Sequence, residues 1–511
     1  MTFLPVVERE LRVAARRAST RYVRAAAAML GMVIGFFMLL LSLLPGPSRA
    51  GAGENMLAVL SWYALLMTLL AGIFLASDSL SEERREGTLG LLFLTDLKGY
   101  DVVLGKFMAV SLNAFYGLLA VFPVLALSLL AGGVSVAEFW RTCLALLNLL
   151  FCSVAAGMLV SSFCQSSYRA MTGSIALLLT WLAATRIATA LGLYEAGQFS
   201  PFEPFLLRSA ANYFRLARAY WTSLAISHLM GWIFLAWASW RVRRFVEKRK
   251  TSGVWQRVFT RDLLGGSAVR RARLLEVNPV LWLLDDSRRL RWVAWLLSLA
   301  AVVVLIYTWC KGGATAFLVS HYVTWPFYFL LKVFVAIQAC RFFGEARRTG
   351  ALELLCCTPL TMRAVVQGQW MLLRRVFLWP LIILLSAHLT CLIIGISKGA
   401  GMFGRTAGVA ELFAAFFVFI KPLLAISNNL ADFFAIGWFG MWLALSMQRP
   451  NMAAGLTILC VLILPTIAFC VPTLATDAIF IALGWVKLSE DFRLRQAQWV
   501  ILKPESSPRQ G

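Results

Sequence analysis

The sequence predicts an all-α, polytopic integral membrane protein with about 12 transmembrane helices, arranged as two parallel repeats of about six spans each. Three observations lead to this prediction: the composition, the length of the apolar runs and the placement of the basic residues. Of the 511 residues, 60% are hydrophobic and only 14% are charged. A soluble domain is nearer to about 45–50% apolar and about 25% charged, because its surface must face water. Lipid as the solvent accounts for the difference.

Apolar runs long enough to cross a bilayer follow one another along both halves. A span needs about 20 apolar residues, since the hydrocarbon core is about 30 Å thick and a helix rises about 1.5 Å per residue. These runs are predicted to be helices, because only helices and closed barrels satisfy all backbone groups in lipid, and barrels need alternating strands. The predicted spans are 23–44, 56–76, 107–130, 139–163, 171–193 and 222–240, then 292–309, 322–339, 376–396, 409–447, 452–470 and 473–486.

The net charge of +23 is concentrated beside the apolar runs. Basic residues cluster in 9–24 and again in 241–291. The positive-inside rule and the attraction of anionic lipid account for this placement, so we expect the lipid bilayer as the partner of these residues and no nucleic acid. The N-terminus, the central linker and the C-terminus are therefore predicted to be cytoplasmic, in a multi-pass protein of the cell inner (plasma) membrane.

Two stretches outside the spans are predicted to lie along a membrane surface. Residues 4–20 place apolar side chains on one helical face and charged side chains on the other, which favours a helix on the inner surface over a plain basic tail. The predicted outer loop 194–220 carries Arg208, Arg215 and Arg218, on a side where the positive-inside rule expects few basic residues. Its prolines and apolar residues indicate an amphipathic helix at the outer interface.

The two halves of the chain resemble each other. Residues 82–92 recur as 345–355, at an offset of 263 positions. Gly157-Met158 recurs as Gly440-Met441 at an offset of 283 positions, because the intervening loops differ in length. Each half has an even number of predicted spans, so the repeats are parallel. The resulting division is a first unit at 1–245, a basic cytoplasmic linker at 246–275 and a second unit at 276–511.

The repeated segment lies between the second and third predicted spans, on the cytoplasmic side. In both copies a charged edge precedes a short apolar helical face. A chain reversal needs only a few residues, so recurrence of this longer segment favours docking of a cytoplasmic partner over a plain connecting loop. The candidate docking residues are Glu82, Glu83, Arg84, Arg85, Gly87, Thr88, Glu345, Arg347, Arg348, Gly350 and Glu353.

These residues carry a resemblance to a known family. The charged run ending in Gly-Thr-Leu at 87–89, followed by Thr95 and by Gly105-Lys106, closely resembles the membrane subunit of type-2 (ABC-2-like) ABC exporters. The resemblance implies six spans per unit, an interfacial helix before the first span and a coupling helix after the second. It also implies ABC ATPase subunits on a separate chain and ATP-driven export through a path between the units. The transported substrate stays open among lipid, peptide, polysaccharide and drug.

Three positions depart from the family pattern. Ala351 stands where the family has Thr, Asp96 where it has Pro, and Gln369 where it has Lys. Two of these three departures fall in the second half. We therefore expect the two halves to dock their ATPases unequally.

The chain shows no nucleotide-binding or catalytic motif. Its nearest approach to a phosphate-binding loop is 99–106, which is one residue too long. The next residue is Phe107, where the motif needs a hydroxyl to bind magnesium, and the segment continues directly into a span. The three histidines are scattered, and no metalloprotease or nucleophile-elbow motif occurs. The ten cysteines have no metal-binding spacing. We therefore expect no enzyme activity, cofactor or metal on this chain.

An ion-coupled secondary transporter with parallel repeats is the alternative function. Such carriers hold ionisable groups inside the membrane. The polar residues in or near the apolar runs, which could line a translocation path, are Arg186, Lys332, Asn428 and Asp432. For the cluster at Asp432, with Asn428 and Asn429, we expect an outer break in the long run, where polar residues meet water, in preference to an ion site.

The predicted topology is tested by labelling single introduced cysteines. An impermeant maleimide should label Ser252→Cys, in the linker, only after cells are opened. The matched Ser48→Cys, in the predicted outer loop at 45–54, should be labelled in intact cells. The ten native cysteines require the unmodified chain as the background measurement. Labelling of the linker in intact cells would overturn the topology.

Overall fold

The computed structural model contains only helices, turns and short irregular connections in the part of the chain that it describes, which confirms the all-α class. The chain divides into two compact units, Met1–Gln256 and Arg257–Gly511. Their boundary falls inside the predicted linker. The described residues are 8, 12, 18–43, 51–77, 79–86, 98–164, 167–190, 194–249, 278–284, 288–312, 316–352, 362–399, 409–447, 450–463, 465 and 473–490. The interfacial helix predicted at 4–20 lies largely outside this part.

The helices of the first unit follow the predicted order of spans. A π-helical turn, Gly72–Ala76, continues the second helix, and a 3-10 turn, Tyr194–Phe199, precedes the eighth. The ninth helix is kinked at Leu216, which has non-helical backbone angles. The helices are α1 (Ala18–Leu43), α2 (Ala52–Ala71), α3 (Ser79–Glu86), α4 (Gly99–Leu119), α5 (Phe122–Leu130), α6 (Val136–Phe163), α7 (Ser167–Ala190), α8 (Glu203–Leu206) and α9 (Ala210–Arg249).

The second unit repeats this order with fewer breaks. π-Helical turns at Arg374–Leu378 and Leu459–Ile463 interrupt its third and fifth spans. The helices are α10 (Pro279–Leu284), α11 (Arg288–Gly312), α12 (Ala316–Thr349), α13 (Met362–Leu373), α14 (Trp379–Gly399), α15 (Val409–Ser446), α16 (Pro450–Ile458) and α17 (Thr473–Glu490).

Polar residues set several helix boundaries. The Ser135 hydroxyl accepts a hydrogen bond from the Glu138 backbone N–H, at 3.2 Å, and so caps the start of α6. The Asn278 side chain accepts from the backbone N–H of Val280, at 2.8 Å, and donates to the Ala364 carbonyl, at 3.0 Å. Asn278 therefore both caps α10 and ties it to α13.

Seven helices of the described part are long and apolar enough to cross a membrane, by length and composition. Two shorter apolar helices, Ala27–Leu40 and Met452–Ile463, accompany them. Apolar side chains such as Phe36, Leu130 and Trp295 are exposed along these helices, as expected of surfaces that face lipid. The protein is therefore a multi-pass membrane protein.

In each unit the fourth span is packed between the second and the sixth. In the first unit α6 contacts α2, α9 and the π turn; in the second, α15 contacts α12 and α17. A Cβ at Gly157 of α6 would lie 2.8 Å from the Cβ of Ala76 and 2.4 Å from the Gly72 carbonyl oxygen. Small residues thus allow the two backbones to approach closely.

The same contact recurs in the second unit. A Cβ at Gly440 of α15 would lie 3.3 Å from the Cβ of Ala339 of α12. Gly440 is the repeat partner of Gly157, and Ala339 follows Ala76 by the same 263 positions as the repeated charged segment. The sequence repeat therefore coincides with a repeated packing contact between the second and fourth spans.

We expect Gly157→Ala to destabilise the protein, because the added methyl group would overlap the backbone of the π turn. Overpacking of this kind costs about 1–3 kcal/mol. Gly117→Ala is the matched control, since a Cβ at Gly117 meets no atom within 4 Å. Thermal unfolding of the purified full chain in detergent measures both changes. Equal melting temperatures for the two variants would contradict the packing argument.

Candidate functional site

The first copy of the repeated segment begins as α3, directly after the π turn that ends the second span. The Ser161 hydroxyl of α6 accepts hydrogen bonds from the backbone N–H groups of Leu80, at 3.2 Å, and Ser81, at 2.9 Å. The Ser79 hydroxyl contacts the sulfur of Met158, also on α6, at 2.8 Å. The first turn of α3 is therefore bound to the fourth span, and the charged residues that begin at Glu82 follow this turn.

A buried ion pair joins α3 to the third span. The Lys106 ammonium donates to the Glu83 carboxylate at 2.7 Å, and the two side chains are only 10% and 14% exposed. Glu83 therefore faces into the unit rather than towards a partner. The predicted docking role of Glu83 stays a prediction, and its side chain also has this internal partner.

The second copy of the segment is built differently. The residues Glu345 to Arg348 belong to α12, which continues from the second span without a break until Thr349. Gly350 then adopts φ +73°, a left-handed conformation that glycine tolerates at the end of a helix. Gly350 therefore ends the helix that carries the charged edge, and the apolar residues predicted to follow it lie mostly outside the described residues.

Arg347 also has an internal role. Its guanidinium donates to the backbone carbonyls of Leu445 and of Met447, the latter at 2.8 Å. These carbonyls lie at the C-terminal end of α15, where a helix leaves acceptors without partners and favours a cation. Arg347 thus joins the C-terminal end of α12 to the C-terminal end of α15.

The ion pair of the first half has no charged counterpart in the second. The positions that match Glu83 and Lys106 at the 263-residue offset hold Ala346 and Gln369. The Gln369 amide donates instead to the Gln338 carbonyl of α12, at 2.9 Å. Both members of the pair have changed together, so neither half contains an isolated buried charge at this place.

The remaining candidate docking residues are only partly described. Glu345 is half-exposed and lies 3.6 Å from Arg341, one turn earlier on α12. The backbones of Glu82, Arg84 and Arg85 in α3 and of Arg348 in α12 are helical, while their side chains lie outside the described part. Gly87, Thr88 and Glu353 lie outside the described residues altogether.

The polar residues predicted for a translocation path gather only in part. Lys332 of α12 and Asp432 of α15 form an ion pair whose side chains are 13% and 12% exposed. The expectation of an outer break at Asp432 was wrong, because α15 is continuous from Val409 to Ser446 and Asp432 is buried. Asn428 lies one turn before Asp432 on α15, and the side chain of Arg186 lies outside the described part.

Sequence reasoning missed two further polar groups. Asp477 of α17 is buried beside the Lys332–Asp432 pair and interacts electrostatically with both residues. In the first unit, the Asn148 side chain of α6 donates to the Ser227 hydroxyl of α9 at 2.6 Å, and its oxygen lies 3.2 Å from Nδ1 of His228. Each cluster joins a fourth span to a sixth, and only the helix packing shows this, since neither has a sequence motif.

The structure also accounts for basic residues in the predicted outer loop. The Arg208 guanidinium donates to the Ser61 hydroxyl at 2.7 Å and lies 3.7 Å from the centre of the Phe205 ring. Burial lowers the pKa of Arg208 to about 10, and the nearby Glu138 carboxylate partly offsets this effect. Arg208 is therefore a packed residue of the first unit, whereas Arg215 and Arg218 are exposed.

Comparison with protein families identifies the first unit. Residues 13–240 match the family model described as ABC-2 family transporter protein. The predicted resemblance to the ABC-2 family is confirmed. The matched region ends within α9, the sixth span, and contains α3 and the Glu83–Lys106 pair. A search of curated proteins found no match to this chain. The first unit, with its long apolar helices, is therefore similar to an ABC-2 transporter membrane domain.

The ion pair at the first copy of the repeated segment generates a testable prediction. Glu83→Ala leaves a buried ammonium and Lys106→Gln leaves a buried carboxylate, so each single change should cost about 3–5 kcal/mol. The double variant Glu83→Ala/Lys106→Gln reproduces Ala346 and Gln369 of the second half. It should therefore lose clearly less stability than the sum of the two single changes, by about 0.5–3 kcal/mol.

Unfolding of the purified full chain in detergent measures this cycle. Glu195→Gln, an exposed carboxylate in the predicted outer loop, is the control for loss of charge alone. Strictly additive losses would show that Glu83 and Lys106 do not stabilise the unit through each other.

Proposed function

We propose that the chain is the transmembrane subunit of an ATP-driven ABC export system, in which two permease units are fused in tandem. The observation that carries the proposal is the ABC-2 family match over the first unit, together with recurrence of its coupling segment in the second. The two units would form the translocation path and couple to ATPase subunits on a separate chain. The chain itself would carry no enzyme activity, since it has no phosphate-binding loop.

The internal packing of the second unit supports the tandem arrangement. Its second and fourth spans meet at Ala339 and Gly440, the repeat partners of Ala76 and Gly157. Small residues are kept at this contact although the surrounding loops have changed length. A duplicated six-span unit accounts for both the sequence repeat and the repeated contact.

The placement of the coupling segments supports docking of an ATPase. Both segments follow directly from the second span, which the basic residues orient towards the cytoplasm. Both segments form hydrogen bonds with the fourth span, through Ser161 in the first unit and through Arg347 in the second. A force applied to either segment would therefore reach two spans at once. The two segments are thus bound by different hydrogen bonds, which supports unequal coupling of the two halves to the ATPases.

The alternative, an ion-coupled secondary transporter, rests on polar residues inside the spans. Lys332 and Asp432 form an ion pair among them. The ABC-2 match favours the export system over this alternative, because it concerns the unit that contains the coupling segment.

The docking proposal predicts that charge reversal at both segments separates the ATPase from the membrane subunit. Because Glu83 and Arg347 have internal partners, the informative residues are Arg85 and its repeat partner Arg348. The double variant Arg85→Glu/Arg348→Glu should reduce co-purification of a phosphate-loop ATPase from native membranes, and the ATP hydrolysis of the purified complex, by at least about tenfold. A fully desolvated charge contact is worth this much, since about 1.4 kcal/mol is a factor of ten.

Arg215→Glu is the matched control, since Arg215 is exposed in the predicted outer loop. All variants are compared at equal membrane abundance. Undiminished co-purification and hydrolysis after reversal of both segments would overturn the docking assignment and place the secondary transporter first.

A further inference from the structure

The described part of the second unit contains a buried cluster of two carboxyl groups and one ammonium group. Lys332 and Asp432 form an ion pair between α12 and α15. Asp477, on α17, packs beside this pair, is only 1% exposed, and both of its carboxylate oxygens lack a hydrogen-bond partner in the described residues. With both carboxyl groups ionised, the cluster would hold two negative charges and one positive charge.

Such a charge surplus is costly at this place. An ionised carboxylate that is buried without a partner loses its hydration and gains nothing in return. Two carboxylates that share a site repel each other when both are ionised. One further positive charge would remove both costs, and the tight packing around Asp477 favours the smallest such charge, a proton.

The structure describes other titratable groups on the helices around the cluster, among them Tyr328, His388, Cys460 and Lys487. Tyr328 lies one turn before Lys332 on α12, and its ring lies 6.0 Å from that of His388 on α14. Cys460, on the π turn that follows α16, is neutral as a thiol. Lys487 lies ten residues after Asp477 on α17, which is about 15 Å along a helix. Among the side chains that the structure describes here, we therefore place the compensating proton at the two aspartates.

We propose that Asp432 and Asp477 share one bound proton, so that the helix bundle of the second unit contains a proton-binding site. Lys332 holds one carboxylate in its charged form, and the proton neutralises the other. The matching place in the first unit, between α6 and α9, is occupied by Asn148, Ser227 and His228. Among the described residues, the first unit has no carboxyl group at this place. The site of the second unit does not depend on the partner ATPase.

Infrared spectroscopy of the purified full chain tests the proposal directly. At neutral pH the protein should show the C=O stretching band of a protonated carboxyl group. The band should be lost in Asp477→Asn and in Asp432→Asn, because each leaves one carboxylate for Lys332. It should strengthen in Lys332→Met, which leaves two buried carboxyl groups and no cation, and should be unchanged in the control Glu195→Gln.

The dependence of the melting temperature on pH is a second measurement, independent of the infrared spectra. The folded chain holds a proton that free aspartates release above about pH 4. Unfolding therefore releases a proton, and the melting temperature should fall as pH rises through the neutral range. Asp477→Asn, which resembles the protonated side chain, should show a smaller decrease over the same range. If this variant does not accumulate, Asp432→Asn replaces it.

Two results would overturn the proposal. The first is a wild-type spectrum without the carboxyl band at neutral pH, or one that both Asn variants leave unchanged. The second is stabilisation of the wild type by sodium or potassium over choline at constant pH that disappears in Asp477→Asn, which would assign the site to a metal cation. Lack of sodium and potassium dependence, together with loss of the band, supports the bound proton.

Discussion

The close approach of the second span to the fourth is the contact on which the other features of each unit depend. At Gly157 and Ala76, and again at Gly440 and Ala339, small residues let the two helix backbones meet. In lipid, where apolar surface gives no driving force between helices, van der Waals packing of this kind holds spans together. The repeated charged segment lies just beyond the contact, so the fourth span is the support from which the segment extends.

The two units stabilise this end of the bundle with different chemistry. The first uses a buried ion pair between α3 and the third span, and the second uses an arginine that binds the carbonyl groups at the end of α15. Where the first unit has Glu83 and Lys106, the second has Ala346 and Gln369. Since a buried charge without its partner is strongly destabilising, such a pair can be gained or lost only as a unit. This constraint explains why both positions differ between the halves.

The polar side chains between the fourth and sixth spans also differ between the two units. The fourth span meets the sixth through polar side chains in both units: Asn148, Ser227 and His228 in the first, and Asp432 and Asp477 in the second. Polar groups at this depth require partners, because lipid supplies none. Lys332, Asp432 and Asp477 come from three different helices, so their balance of charge is set by packing, and no single segment reveals it.

The sequence by itself determined the membrane class, the all-helical fold, the repeat and the family resemblance. These four features depend on composition, on the length of apolar runs and on residues close together in the chain, and each of these can be read directly from the sequence. The tertiary structure decided which charged residues are internal. Glu83 and Arg347, which the sequence predicted as docking residues, bind groups inside their own units. The helix α15 continues through Asp432 without the expected break, and Asp477 lies beside the ion pair. The physical reason is that these partners lie between 23 and 477 − 332 = 145 positions apart in the chain, and helix packing alone determines which of them meet.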